Sequence, residues 1–154
     1  MKEEYSYYSE DRNIRIHKRH GKAEKQENLD IATYFSSKYG YQIDLLPVEN
    51  REHHREADTF NRTLGYKQEY KVNKTNSKNA VDCAIRSGAG QADSIVLAVN
   101  SDITFSDLMF TIKNRIKRTE NVFEIVIIKD GKDATYTRDF IMSDDFKIKL
   151  EDFK

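Results

Sequence analysis

The hydrophobic positions change their period along the chain, and each change marks an element. Leu29, Ile31, Ala32, Phe35 and Tyr39 recur at three- and four-residue spacings, which predicts a helix over residues 21–38 ended by Gly40. Residues 41–46 (YQIDLL) predict a strand that stops at Pro47. Residues 58–60 and 66–72 predict two arms of a hairpin turning through 61–65, with Gly65 available for positive φ. In the second arm Tyr66, Gln68, Tyr70 and Val72 share one face, and Lys67, Glu69 and Lys71 the other. Asn76 or Ser77 can cap a helix running to about Gln91, with Ala80, Val81, Ala84, Ile85 and Ala89 inside; Gly88 and Gly90 weaken its last turns. Residues 94–99 and 122–128 predict continuous apolar strands of the buried kind. Between them a helix starts at Thr104 or Ser106 and turns Leu108, Met109, Ile112 and Ile116 inward. Asp130 and Gly131 then turn the chain into an edge strand over 134–138.

The resulting order, α-β-β-β-α-β-α-β-β, predicts an α/β or α+β fold with a central mixed sheet flanked by helices on both faces. With 154 residues the chain is the size of one ordinary domain. The expected organisation is an N-terminal arm at 1–20, a core domain at 21–140 and a polar C-terminal tail at 141–154. Within the arm only residues 13–18 alternate, as a short strand or an extended segment would. Residues 48–56 (VENREHHRE) are polar after the first and predict an exposed loop.

Charge narrows the chemistry little, because 26 Lys and Arg balance 26 Asp and Glu. Nucleic-acid binding would have to come from local clusters. One is the face of the third helix with Lys113, Arg115, Lys117 and Arg118; its rival reading is a solvated helix end. Another is the run 12–25, which holds six basic residues and one acid, among them Arg15, Lys18 and Arg19, with Tyr5, Tyr7 and Tyr8 nearby to stack on unpaired bases. The lone Cys83 excludes an intramolecular disulfide and reads as a small apolar core residue. Neither a signal peptide nor a membrane span is expected, so the chain as given reads as soluble, with no membrane partner. His17, His20, His53 and His54 lack the spacing of a zinc site.

The hairpin carries the candidate chemistry. Divalent-metal hydrolysis of a phosphodiester needs carboxylates to hold the ion and often a cation near the nucleophile, and Asp58, Glu69 and Lys71 are of those types. An acid two residues before a lysine occurs four times in this chain, at Glu69, Asp130, Asp145 and Asp152, so that pattern alone selects nothing. Adding an acid eleven residues earlier leaves the Glu69 case, which a solvated strand face also explains.

The hairpin lies between GYQIDLLP (40–47) and the blocks SKNAVDCAIR (77–86) and GQADSIVL (90–97). In that order these blocks resemble the C-terminal nuclease domains of CdiA contact-dependent growth-inhibition toxins and related phage and mobile-element proteins, within the PD-(D/E)xK restriction-endonuclease-like superfamily. The likeness covers about residues 21–138, with Ala57 where the motif's proline would stand. It implies an α-β-β-β-α-β nuclease core and a divalent-metal enzyme, with Mg2+ or Mn2+ expected and Zn2+ as an alternative. Asp58 would be the central metal ligand, Glu69 the second, and Lys71 the residue that positions water or stabilises developing charge. Glu27, with Glu24 in reserve, would add a helix-one acid, and Gln91 would hydrogen-bond a phosphate or water. The expected substrate is RNA, tRNA first, with DNA second. The implied setting is action in the cytoplasm of a target cell after delivery within a larger toxin, with a cognate immunity protein as partner. Two alternatives stay open: a metal-independent barnase-like RNase, and a non-catalytic nucleic-acid- or protein-binding module on this fold.

Overall fold

A computed structural model of the chain describes residues 4–48 and 57–154. Of the loop expected at 48–56, the residues Glu49, Glu52, His53, His54 and Glu56 lie outside the described residues. The chain divides into two compact units, one ending at Tyr70 and one beginning at Lys71.

The first unit holds β1 (Tyr5–Tyr7), β2 (Ile14–His17), α1 (Lys25–Tyr39), β3 (Ile43–Leu45), β4 (Thr59–Asn61) and the start of β5 (Tyr66–Asn73). Strand β2 pairs antiparallel with β1 and parallel with β3; β4 pairs antiparallel with both β3 and β5. The segment expected as an arm is therefore sheet. Its alternation has a physical use, since Ile14 and Ile16 stand opposite Ile43 and Leu45, and Ile14 is fully buried. Helix α1 buries Leu29, Ile31, Ala32 and Phe35, and its end is set by Gly40 at φ 70°, whose N–H donates to the Ser36 carbonyl at 2.9 Å. Phe35 meets the Tyr70 ring at 6.3 Å, which places α1 on the Tyr70 face of β5. His20 is a structural joint: Nδ1–H donates to the Leu46 carbonyl at 2.6 Å, and Nε2 accepts from Asn28 Nδ2 at 3.1 Å.

The second unit contains the rest of β5, α2 (Lys78–Ala89), β6 (Ser94–Val99), α3 (Phe105–Lys117), β7 (Glu124–Lys129), β8 (Lys132–Thr137), the short α4 (Arg138–Met142) and a 3-10 turn (Leu150–Asp152). Strand β6 pairs parallel with β7, which pairs antiparallel with β8. Ser77 and Thr104 cap α2 and α3 by accepting from the backbone N–H of Ala80 and Asp107. The β7–β8 turn uses positive φ at Asp130 (53°) and Gly131 (74°), the geometry of a tight hairpin turn. Both units mix parallel and antiparallel pairing, so the fold is of the mixed α+β class the order of elements predicts.

Three expectations change. Residues 141–154, expected as a polar C-terminal tail, also supply core: Ile141, Phe146, Ile148 and Phe153 belong to the core of the second unit, and Phe153 stacks on Phe105 at 5.5 Å. Cys83 is half-buried rather than a core residue. Gly88 is a close-packing point as well as a weak helix former, because a Cβ there would lie 3.2 Å from Ile95 Cδ1, and Ile95 is fully buried. Helices α2 and α3 are also tied by a fork in which Arg115 Nε and a terminal nitrogen each donate to Asp82 at 2.8 Å.

Gly88→Val should lower unfolding stability by about 1–3 kcal/mol, because the added branches overpack against Ile95; chemical denaturation measures it. A second expectation concerns pH. The Arg115 hydrogen bond holds the Asp82 carboxyl below its ordinary 3.8. A depressed folded-state value means the stabilisation is complete above the unfolded value and is lost as pH falls through the folded one. Asp82→Asn should therefore be less stable than the parent at neutral pH, and the gap should close below about pH 4 in urea titrations.

Candidate active site

The hairpin's register is fixed by its own side chains and turn. Thr59 stands opposite Gln68, and its hydroxyl donates to the Gln68 carbonyl at 2.6 Å. At the tip, Asn61 Oδ1 accepts the Leu64 N–H, the Asn61 carbonyl accepts the Gly65 N–H, and Gly65 adopts φ 88°. Asp58 immediately precedes β4, and one further step of this register would set it opposite Glu69, where opposed residues share a face. The backbone agrees: Asp58 N–H donates to Glu69 Oε1 at 3.0 Å, while the Asp58 carbonyl accepts from Leu46 N–H at 2.8 Å.

Glu69 is 1% exposed, although carboxylates are seldom placed out of water without compensation. Asp58 is half-buried. Lys71 follows Glu69 by two residues on the same continuous strand and so shares its face. Its Nζ donates to Ser87 Oγ on α2 at 3.3 Å, within the second unit.

The same face of the first unit's sheet holds a second charged group that sequence reasoning missed. Asp44 stands opposite Arg15 on one side and Phe60, two residues from Asp58, on the other. Arg15 grips Asp44 with a fork at 2.8 and 2.7 Å, and Arg62 Nε adds a third bond at 2.8 Å. Arg62 also donates to the Asn13 carbonyl at 3.1 Å. The hydrogen bonds to Asp44 push the Arg15 guanidinium's value further up. Two guanidiniums against one carboxylate leave a net positive cluster on the face that carries Asp58 and Glu69. The signal in the sequence was a charge in the middle of an apolar strand, Ile43-Asp44-Leu45, but its partners become visible only from the register.

The other expected site residues are placed as follows. Glu27 is half-buried in the first turn of α1, and the helix lies on the Tyr70 face of β5, opposite in strand alternation to Glu69. Glu24 is exposed at the α1 N-cap. Among the described residues no group of three or more His, Cys, Asp or Glu is close enough to hold a metal ion. The three-acid set is therefore not assembled, and α1's position on the opposite face is the physical reason for leaving Glu27 out. The remaining donor set is two opposed carboxylate residues, hard oxygen ligands of the number that Mg2+ ordinarily takes from protein while keeping water. It fits a hydrated Mg2+ or Mn2+ better than Zn2+, which favours nitrogen and sulfur.

Gln91 lies just beyond α2; its N–H donates to the Gly88 carbonyl at 2.9 Å, and its buried Oε1 has no hydrogen-bond partner among the described residues. Of the basic residues, Arg115 is spent on Asp82 and Lys113 donates to the Ser143 carbonyl at 3.0 Å. Lys117 and Arg118 are exposed, as are Lys18 and Arg19, with Lys18 Nζ 4.0 Å from Glu4. His17 accepts the Arg19 N–H at Nδ1 and reaches Glu4 through Nε2 at 3.2 Å, so its ring is engaged locally. No helix among the described residues is long and apolar enough to cross a membrane.

No family model matches the chain, and no curated protein matches it. A chain of the solved structure described as a CdiA-CT/CdiI toxin and immunity complex from Burkholderia pseudomallei is similar to it, at 18% identity and a TM-score of 0.51. The likeness covers 73% of this chain and 83% of that chain, and what it establishes is a shared fold.

Proposed function

We propose that this chain is a toxin-type, divalent-metal-dependent nuclease that hydrolyses phosphodiester bonds in RNA, tRNA first, with DNA as the second substrate. The observation that carries the reading is the Asp58 N–H bond to the Glu69 carboxyl, which is almost wholly buried, with Lys71 two residues on along the same strand. A purely structural strand would gain more from an apolar residue at position 69 than from an acid. The likeness in fold to a chain of a toxin and immunity complex supports the toxin setting, delivery to a target cytoplasm and a cognate immunity partner.

In this reading Asp58 and Glu69 hold a Mg2+ or Mn2+ ion, which when bound polarises the phosphoryl oxygens and lowers the pKa of a water. The Asp58 N–H fixes the Glu69 carboxylate through Oε1, so the ligand is oriented before an ion arrives. Lys71 places an ammonium beside the reacting phosphate, where it orients the water or balances developing negative charge. The net positive Arg15–Asp44–Arg62 cluster on the same face draws the phosphate backbone towards the pair.

The test is to incubate the purified chain with total tRNA and with plasmid DNA, each with Mg2+ or Mn2+ and then with chelator. Glu69→Gln and Lys71→Ala should each lose at least about 100-fold in cleavage rate, as removal of a group that stabilises transition-state charge does. Cleavage that persists in chelator would contradict the metal mechanism and point to the barnase-like alternative. Inactivity of the parent on both substrates would point to a binding module.

A further inference from the structure

Helices α2 and α3 of the second unit flank an open, shallow cleft of about 390 Å3, within the size range of small-ligand sites. Its wall carries Phe110, Lys78, Arg118, Asn114 and Thr111. Phe110 is 61% exposed and projects from the side of α3 away from the core residues Leu108, Ile112 and Ile116. Lys78 Nζ lies over one face of its ring, 5.0 Å from the centre, and Arg118, largely exposed at the far end of α3, has a terminal nitrogen 3.8 Å from Asp82. Asp82, the acid on the wall, is held in the Arg115 fork with Arg118 also beside it, so the three groups together carry a net positive charge. Thr111 is 4% exposed, yet its hydroxyl has no hydrogen-bond partner among the described residues. A buried hydroxyl without a partner is costly, and a polar ligand edge entering the cleft would satisfy it.

A largely exposed aromatic ring with one cation over a face of it, a second cation nearby and an orphaned buried hydroxyl match one ligand chemistry. We infer that the α2–α3 cleft is a nucleotide subsite that takes an unpaired base and its phosphate from single-stranded nucleic acid. The base stacks on the Phe110 face that Lys78 leaves open, the phosphate lies within reach of Lys78 and Arg118, and the base edge or a ribose hydroxyl meets Thr111 and Asn114. The choice of a nucleic-acid ligand rests on the nuclease reading above; the site itself is separate from the Asp58–Glu69 hairpin. Stacking and phosphate neutralisation are common to RNA and DNA, so either strand can supply the unit.

Binding of the full-length chain to fluorescein-labelled single-stranded RNA, single-stranded DNA and a hairpin duplex, followed by anisotropy in chelator, tests this. Phe110→Ala should weaken single-strand binding about tenfold and leave duplex binding unchanged, whereas Phe110→Tyr should restore it to within about twofold, since a phenol stacks as a phenyl does. Lys78→Ala and Arg118→Ala should each reduce the salt dependence of single-strand binding by about one unit of slope. Equal affinity of parent and Phe110→Ala would overturn the inference, as would Phe110→Tyr binding as weakly as Phe110→Ala, or a parent that binds no single strand. Thermal unfolding of each variant controls for folding. Loss of binding in Phe110→Ala with a parent that cleaves nothing would retain the cleft and reject the nuclease. Unchanged binding with an actively cleaving parent would do the reverse.

Discussion

Two carboxylates taken out of water, Asp44 and Glu69, govern the first unit, because each has to be compensated by groups that only a fixed register can deliver. Asp44 is met by Arg15 from β2 and by Arg62 from just beyond β4. Glu69 is met by the backbone N–H of Asp58 across the hairpin. A one-residue slip of β4 would turn Asp58 and Glu69 to opposite faces and carry Arg62 away from Asp44. The Thr59 hydroxyl bond to Gln68 and the positive φ at Gly65 hold that register from both ends of the hairpin.

From that constraint the site follows by strand periodicity. Glu69 and Lys71 share a face because they are two apart on β5, and Asp58 joins Glu69 because the hairpin turns where it does. The cation-rich cluster around Asp44 lies on the same face because β2, β3 and β4 pair in sequence. Acid and guanidinium are thus brought to one side of the first unit's sheet, whose other side carries Phe35 and its neighbours on α1.

Much of this was legible in the sequence. The order of nine elements from α1 to β8 follows from periodicity, caps and turns, and the Glu69–Lys71 pair from alternation alone. What escaped has physical reasons. Strand β2 is four residues long, its alternation fits a short strand and an extended arm alike, and its partner β3 lies beyond a whole helix. Phe146, Ile148 and Phe153 sit at irregular spacings in charged text, so their burial depends on the β8 edge and α3 they cover. The forks Arg15–Asp44 and Arg115–Asp82 join residues 29 and 33 positions apart, and no local pattern singles out the partner. Glu27 looked eligible because a helix acid of the right type precedes the hairpin; only the placement of α1 on the Tyr70 face shows that it starts from the other side.

The central claim is that Asp58 and Glu69 form one ion-binding pair. Calorimetric titration of the full-length chain with Mn2+ measures it directly, without reliance on a chosen substrate. Saturable binding that is lost in both Asp58→Asn and Glu69→Gln, with folding retained, is the expected result. Binding that persists unchanged in both variants, or a parent that binds no Mn2+, would contradict it.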